Sequence, residues 1–170
     1  MPTPSLPPAI TAERFEFNLT GDAADVRVSY YRAEPSNGHT LPPLLLVHSV
    51  NAVGSAAEVL PLFNHYRNSR PVYALDLPGF GLSSRLGRPY TPQLMTDAVL
   101  ALVAQIQLDH GGVAVDVLGV SLATEFVARA QTQAPDSIRR IALVSPTGFS
   151  RAKRRYGPPG SNLESGRAHV

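Results

Sequence analysis

The segment 113–130 changes its hydrophobic period half way along, and this change constrains the fold more than any other feature of the chain. Its first part, 113–118, is short and rich in β-branched apolar residues, which is typical of a buried strand. Its second part has apolar residues at helical spacing, namely Leu122, Phe126, Val127 and Ala130. The segment therefore predicts a strand that turns abruptly into a helix, with the junction at 119–123.

Ser121 lies at this junction, with Gly119 two residues before it and Ala123 two residues after it. Strand and helix nearly touch at such a turn, so both flanking positions must be small. A serine in this setting is the pattern of a nucleophile elbow, whose strained backbone lifts the hydroxyl clear of the sheet. The usual form has a second glycine where this chain has Ala123. The start of the following helix offers free N–H groups and a positive dipole end, which favour a developing oxyanion.

Strand and helix patterns also alternate along the rest of the chain. The segments 14–20 and 26–31 alternate apolar and polar residues, which predicts an N-terminal antiparallel hairpin. The run 44–48 is uniformly apolar, which is typical of a parallel strand covered on both faces, and the segments 71–75 and 138–145 are predicted to be further strands. Together with the strand before Ser121 they predict an α/β fold with a doubly wound, mostly parallel sheet and right-handed crossovers.

Two helix starts are also visible between these strands. Ser55 and Glu58 form a possible capping box, and Pro61 predicts a kink or a restart in the helix that follows. Thr91 followed by Pro92 is typical of an N-cap and a first helical residue.

Composition excludes several classes of protein. Hydrophobic residues make up 44% and charged residues 16% of 170 residues, which favours a globular chain over a disordered one. A net charge of +2 is too small to indicate a nucleic-acid partner, and the absence of cysteine excludes disulfides and thiol chemistry. No apolar run has the length of a membrane span and no secretory signal is visible. We therefore expect a cytoplasmic protein without nucleic-acid or membrane partners.

The chain divides into three parts on sequence grounds. Residues 1–12 are rich in proline and are expected to form a disordered N-terminal tail, and residues 13–150 form the core. Residues 151–170 form a basic tail rich in proline and glycine. Its cluster of Arg151, Lys153, Arg154 and Arg155 is interpreted as a solvated segment leading into a missing cap, rather than as a nucleic-acid site.

Three strand ends carry a resemblance to a known family. They are Val47-His48-Ser49, the loop from Asp76 to Ser83 that reads Asp-Leu-Pro-Gly-Phe-Gly-Leu-Ser, and Gly119 to Ala123. In this order and spacing the chain resembles the α/β-hydrolase family over roughly residues 14–150. The resemblance implies a partial α/β-hydrolase fold and a serine hydrolase that acts on an ester, thioester or amide.

The same resemblance implies roles for individual residues. Ser121 would be the nucleophile, and the backbone N–H groups of Leu122 and Val50 would form the oxyanion hole, with no metal or organic cofactor. The loop usually reads His-Gly, whereas this chain has His48-Ser49, and serine resists backbone angles that glycine tolerates. We interpret His48, Ser49 and Asp76 as residues that position the loops, with Asp76 bonded to loop amides rather than acting as a triad acid.

The expected acid and base are not visible in the sequence. The family places them after the serine, but His169 is the one downstream histidine and it sits beside the last residue. The chain is therefore expected to be an N-terminal part of a hydrolase, either a gene fragment or one half of a split enzyme. The strand at 141–144 would then be an exposed apolar edge. An alternative is a non-catalytic binding module that uses this edge for self-association or for a complementing C-terminal segment.

Overall fold

The strands and helices follow the predicted order along the chain. The structure is a computed structural model that describes residues 7–36, 38, 41–85, 87 and 89–147. Within these residues the strands are β1 Glu13–Asn18, β2 Arg27–Ala33, β3 Leu44–Val47, β4 Val72–Asp76, β5 Val115–Val120 and β6 Ile138–Val144. The α-helices are α1 Leu60–Tyr66, α2 Pro92–Asp109 and α3 Ala123–Gln133.

All of these strands belong to one mixed sheet in the order β1-β2-β4-β3-β5-β6. β1 pairs antiparallel with β2, and β2 pairs antiparallel with β4. The strands β4, β3, β5 and β6 are parallel to one another. The predicted α/β fold, with a hairpin ahead of a parallel sheet, is confirmed.

Strand β3 lies where the winding of the sheet reverses. The chain passes from β3 to β4 on one side, and returns to place β5 on the other side. On one face of the sheet, Phe63 of α1 lies in the same apolar cluster as Leu46. On the other face, Leu102 of α2 and Val127 of α3 lie in the same cluster as Leu45. The carboxyl ends of β3, β4 and β5 therefore meet at one edge, where open α/β sheets bind ligands.

Two predicted features of the helix starts, the restart at Pro61 and the N-cap at Thr91, are found in the structure. A 3-10 helix at Ala56–Val59 precedes α1, whose second residue is Pro61, so the predicted restart is confirmed. The Thr91 side chain accepts a hydrogen bond from the N–H of Leu94, as predicted for an N-cap. α2 ends before Gly111 and Gly112, which both have positive φ.

The described part of the N-terminal segment packs on the core. Ile10 is only 1% exposed and lies in the same apolar cluster as Tyr31. The N–H of Ala9 donates to the Tyr31 hydroxyl at 2.9 Å. Residues 7–12, which the sequence assigned to a disordered tail, are thus held on the core by apolar contacts and by hydrogen bonds. Residues 151–170 lie outside the described residues.

Strand β6 is the edge of the sheet beyond β5. Ile141 and Val144 are 38% and 42% exposed, although parallel strands are usually covered on both faces. None of the described helices has the length and apolar character that crossing a membrane requires.

Candidate active site

Ser121 connects β5 to α3 through a left-handed backbone conformation. Its φ is +54°, which is uncommon for a residue with a side chain. Its N–H donates to the carbonyl of Val144 at 2.8 Å, and its own carbonyl accepts from the N–H and the hydroxyl of Thr124 at 3.1 and 2.6 Å. The backbone is therefore held on both sides, while Oγ of the half-buried side chain forms no hydrogen bond with any other described residue.

The turn depends on the small residue two positions before Ser121. A Cβ atom on Gly119 would lie 2.9 Å from Cγ2 of Val127 and 3.1 Å from the carbonyl oxygen of Ala123. Ala123 is itself fully buried. Strand and helix thus pass too close for a larger side chain at position 119.

The two proposed oxyanion donors lie beyond neighbouring strands. Val47 of β3 is in register with Gly119 of β5, so the loop carrying Val50 leaves the sheet beside the elbow. Leu122 is the N-cap residue of α3, with φ −63° and ψ −27°. Among the described residues, no acceptor takes a hydrogen bond from the N–H of Val50 or of Leu122.

His48 fixes the end of β3 against the end of β4. Its Nε2 accepts the N–H of Leu77 at 3.1 Å, so the ring proton is on Nδ1, which donates to the carbonyl of Ser49 at 2.6 Å. The side chain is fully buried, and this burial lowers the pKa of His48. Both ring nitrogens of a neutral imidazole are thus engaged within the loops.

Asp76 joins the loops that follow β3 and β4. Its Oδ1 accepts the N–H of Ala56 at 2.8 Å, and its Oδ2 accepts the N–H of Leu82 at 3.0 Å. A Cβ atom on Gly81, whose φ is +49°, would lie 2.1 Å from Cγ of Asp76. The glycine therefore leaves room for the carboxylate, which has the bonds to loop amides that a positioning role requires.

Ser49 is hydrogen-bonded to Glu58, the residue that the sequence placed in a capping box with Ser55. Glu58 accepts the N–H of Ser49 at 2.5 Å and its hydroxyl at 2.8 Å. The predicted capping box is therefore wrong in part: Ser55 accepts the N–H of Ala57 at 3.3 Å, but Glu58 turns to Ser49. The sequence carried one signal for this contact. Ser49 stands in a tight loop where glycine is usual, and a serine hydroxyl that is buried there needs a hydrogen-bond partner.

A sequence profile of the α/β-hydrolase fold matches residues 42–161. This range includes all three strand ends described above. The chain belongs to the α/β-hydrolase fold family.

Several solved structures of α/β-hydrolase type share this fold. A probable hydrolytic enzyme from Pseudomonas aeruginosa superposes with a TM-score of 0.70 at 20% identity, covering 83% of this chain and 44% of that one. A 2-hydroxy-6-oxo-6-phenylhexa-2,4-dienoate hydrolase from Rhodococcus superposes with a TM-score of 0.65 at 20% identity, covering 85% and 50%. The chain thus spans half or less of the length of these structures.

One curated relative is similar in sequence. The dihydrolipoyllysine-residue acetyltransferase component of the acetoin cleaving system from Cupriavidus necator is 31% identical over 132 residues. The match covers 77% of this chain and 32% of the relative, so the chain spans about a third of that protein.

No described histidine of this α/β-hydrolase chain is placed as a base for Ser121. His48 is engaged as above, and Nε2 of His110 lies 2.9 Å from the Tyr73 hydroxyl. His65 packs edge-on against its neighbour Tyr66. His39 and His169 lie outside the described residues.

Two further acidic side chains, one on β5 and one on α3, are paired with arginines. Asp116 lies on β5 and is bound by Nη2 of Arg70 at 2.7 Å and Nη2 of Arg139 at 2.6 Å. Glu125 pairs with Arg129 on the surface of α3 at 2.7 Å. Among the described residues, no group of three or more histidine or acidic side chains could hold a metal ion.

A cavity of about 500 Å³ lies beside the loops rather than at the elbow. Its walls come from residues 7–9, 31, 51–55, 57, 79–82 and 85, and Ser121 does not line it. The elbow is therefore separate from this cavity.

Proposed function

We propose that this chain carries the nucleophile and the oxyanion-binding groups of a serine hydrolase that cleaves an ester, thioester or amide bond. The observation that carries the proposal is Ser121 itself, a serine with φ +54° between β5 and α3. Non-glycine residues hold such backbone angles where the surrounding structure imposes them, and these positions cluster at active sites. The family membership supports the same reaction class.

The chemistry follows from the groups around the elbow. Oγ of Ser121 attacks the carbonyl carbon of the substrate and gives its proton to a base. The carbonyl oxygen becomes an oxyanion, which the N–H groups of Leu122 and Val50 bind. Loss of one such donor typically slows the reaction by about 10²- to 10³-fold. Collapse of the intermediate expels the leaving group and leaves an acyl-serine, which water hydrolyses.

The base and the acid are proposed to come from polypeptide outside the described residues. Each described imidazole has partners of its own, and the nearest in sequence to the oxyanion loop, His48, uses both nitrogens there. Removing a triad member typically costs about 10⁴- to 10⁶-fold in rate. We therefore expect the isolated chain to react with strong acylating or phosphonylating agents but to turn substrates over very slowly.

A fluorophosphonate probe tests this proposal. We expect slow covalent labelling of the wild-type protein, with the added mass mapped to Ser121 by peptide mass spectrometry and absent from Ser121→Ala. Thr124→Ser is a matched control, because it keeps the hydroxyl that supports the elbow. Labelling that is equal in wild type and Ser121→Ala would overturn the assignment of Ser121.

The same protein can be assayed with an activated phenyl ester. We expect hydrolysis far below that of a complete hydrolase and dependent on Ser121. Efficient turnover that requires Ser121 would contradict the proposal that the base lies elsewhere, while supporting the nucleophile.

A second candidate function is binding through the open edge of the sheet. Ile141 and Val144 expose apolar surface on β6, and the main-chain groups on the outer side of this strand have no strand partner among the described residues. We propose that a second copy of the chain pairs along this edge when a complementing segment is absent.

Light scattering after size-exclusion chromatography tests the second candidate. The wild-type chain is expected to have a mass above the 18.2 kDa of one copy, and Ile141→Lys is expected to lower it to that value. Val53→Lys is the control, since Val53 is 88% exposed and lies in the loop after β3. A wild-type mass of one copy at all concentrations would exclude pairing between copies.

A further inference from the structure

We propose that Glu58 is a positioning residue for the oxyanion hole: it locks Ser49 in place and thereby sets the direction of the Val50 N–H. This inference rests on the proposed function of Ser121 and Val50. It assigns a role to a carboxylate that does not face the reacting atoms and acts through its neighbour.

The first part of the lock is a pair of hydrogen bonds between two residues. The two carboxylate oxygens of Glu58 accept the N–H and the hydroxyl of Ser49, at 2.5 and 2.8 Å. The side chain of Asn51 donates to the same hydroxyl at 2.6 Å. Bonds to an ionised acceptor are stronger than neutral ones, so the peptide plane before Ser49 is held firmly.

The second part of the lock holds the peptide plane after Ser49. Nδ1 of His48 donates to the Ser49 carbonyl at 2.6 Å. The peptide group is planar and trans, so the N–H of Val50 points away from the carbonyl of Ser49. Holding that carbonyl against His48 therefore directs the Val50 N–H to the opposite side. With both planes fixed, the two backbone angles of Ser49 are fixed as well.

Glu58 is itself placed by the turn that carries it. It belongs to the 3-10 helix Ala56–Val59, whose first N–H is bound by Oδ1 of Asp76 at 2.8 Å. Gly54 closes the loop from the other side, since a Cβ atom there would lie 2.8 Å from the Ser49 carbonyl oxygen. The start of the turn that carries Glu58 is thus held by Asp76, independently of Ser49.

The lock explains how a serine is accommodated at this position. Ser49 is 6% exposed, so its hydroxyl would destabilise the loop if it lacked hydrogen-bond partners. Glu58 and Asn51 supply those partners and use the hydroxyl as an anchor. A donor that is already oriented before the substrate arrives stabilises the transition state without reorganisation.

The experiment measures the rate of Ser121 phosphonylation together with amide hydrogen exchange of residues 48–53. We expect Glu58→Ala to slow labelling by about 10²-fold, as for loss of an oxyanion donor, and to speed exchange in this segment. Glu58→Gln keeps one acceptor oxygen and the shape of the side chain, so it is expected to restore most of the rate. Glu34→Gln is the control, because Glu34 pairs with Arg32 away from the loop.

The outcomes separate this inference from the function on which it rests. If the wild-type protein is not labelled at Ser121, the proposed function fails. If the wild-type protein is labelled, and Glu58→Ala is labelled within twofold of its rate with unchanged exchange, then the positioning role of Glu58 is excluded. Circular dichroism of each variant establishes that the fold is retained, and Glu58→Gln provides the comparison should Glu58→Ala unfold.

Discussion

The backbone N–H of Leu77 donates to Nε2 of His48 over 3.1 Å, and this bond sets the tautomer of a fully buried imidazole. Because Nε2 is the acceptor, Nδ1 carries the proton and donates to the carbonyl of Ser49. One ring therefore connects the end of β4 to the loop after β3. Both ring nitrogens of His48 are therefore engaged, which supports our proposal that His48 positions the loops and that the base lies elsewhere.

The protonation of His48 can be measured directly. Burial lowers the pKa of His48, so we expect it to stay neutral when the pH falls below the ordinary value of about 6.5. The folded state then binds fewer protons than the unfolded state. The stability that this group contributes is full above about pH 6.5 and declines as pH falls towards the lowered folded pKa.

Imidazole ¹H–¹⁵N correlation spectra provide the measurement for His48. They should show an Nδ1-protonated ring, with the exposed His65 as a second signal in the same spectrum. A His48 signal that titrates at or above about pH 6.5, or a proton on Nε2, would contradict a neutral His48 that accepts from Leu77 and donates to Ser49.

Replacing Gly81 tests the room that it leaves for Asp76. Gly81 and Gly111 both have positive φ, of +49° and +63°, but an added Cβ meets Asp76 at Gly81 and nothing within 4 Å at Gly111. Gly111→Ala should cost about 1–2 kcal/mol in the free energy of unfolding from backbone strain alone. Gly81→Ala should cost about 1–3 kcal/mol more from the added contact. Urea unfolding measures both, and equal costs would show that the contact with Asp76 does not matter.

Replacing Gly119 tests the close passage of strand and helix at the elbow. Gly119→Ala should lower the free energy of unfolding by about 1–3 kcal/mol, because the methyl group would press on Val127. It should also slow the labelling of Ser121, since the helix start would shift. Gly87→Ala, where an added Cβ meets nothing, should stay within about 0.5 kcal/mol. A Gly119→Ala variant as stable and as reactive as the wild type would contradict the packing of the elbow.

Asp116 is expected to support the start of β5 through its charge. Its neutralisation in Asp116→Asn leaves the buried Arg70 without its carboxylate, which should cost about 2–4 kcal/mol in the free energy of unfolding. Glu125→Gln breaks only an exposed pair with Arg129 and should cost under about 0.5 kcal/mol. Chemical unfolding measures the loss of stability in both variants. A loss for Asp116→Asn below the expected range would show that the pair of Asp116 with Arg70 contributes little.

The same residue predicts a dependence on acid. Burial raises the pKa of Asp116, but the hydrogen bonds from Arg139 and Arg70 outweigh it and lower the pKa overall. The stability from this carboxylate is therefore present above the ordinary value of about 3.9, and is lost as pH falls through the lowered folded pKa. Unfolding measured as a function of pH should show this acid-dependent loss in the wild type and a weaker one in Asp116→Asn.

Periodicity was sufficient to predict the strands and helices, because the apolar pattern of each element reflects the faces that it buries. The run 44–47 is apolar at every position and is buried on both faces, while the step from strand to helix at Ser121 follows the change of period. The resemblance of three strand ends then identified the family. The roles of individual site residues are proposals, tested by the experiments above.

Contacts between distant side chains could not be predicted in the same way. Arg70 reaches Asp116 across 46 residues, and no local pattern encodes such a pair. Glu58 fits a capping box in the sequence, but the loop folds back and offers it Ser49 instead. Ile10 follows four prolines that suggest a disordered tail, yet its side chain packs in the apolar cluster that contains Tyr31 and helps to hold residues 7–12 on the core.

A crystal structure of the protein after reaction with a fluorophosphonate tests the elbow and the oxyanion hole together. We predict a bond from phosphorus to Oγ of Ser121, with the phosphonyl oxygen about 2.7–3.1 Å from the backbone nitrogens of Val50 and Leu122. An adduct on another residue, or a phosphonyl oxygen directed away from both nitrogens, would contradict the account.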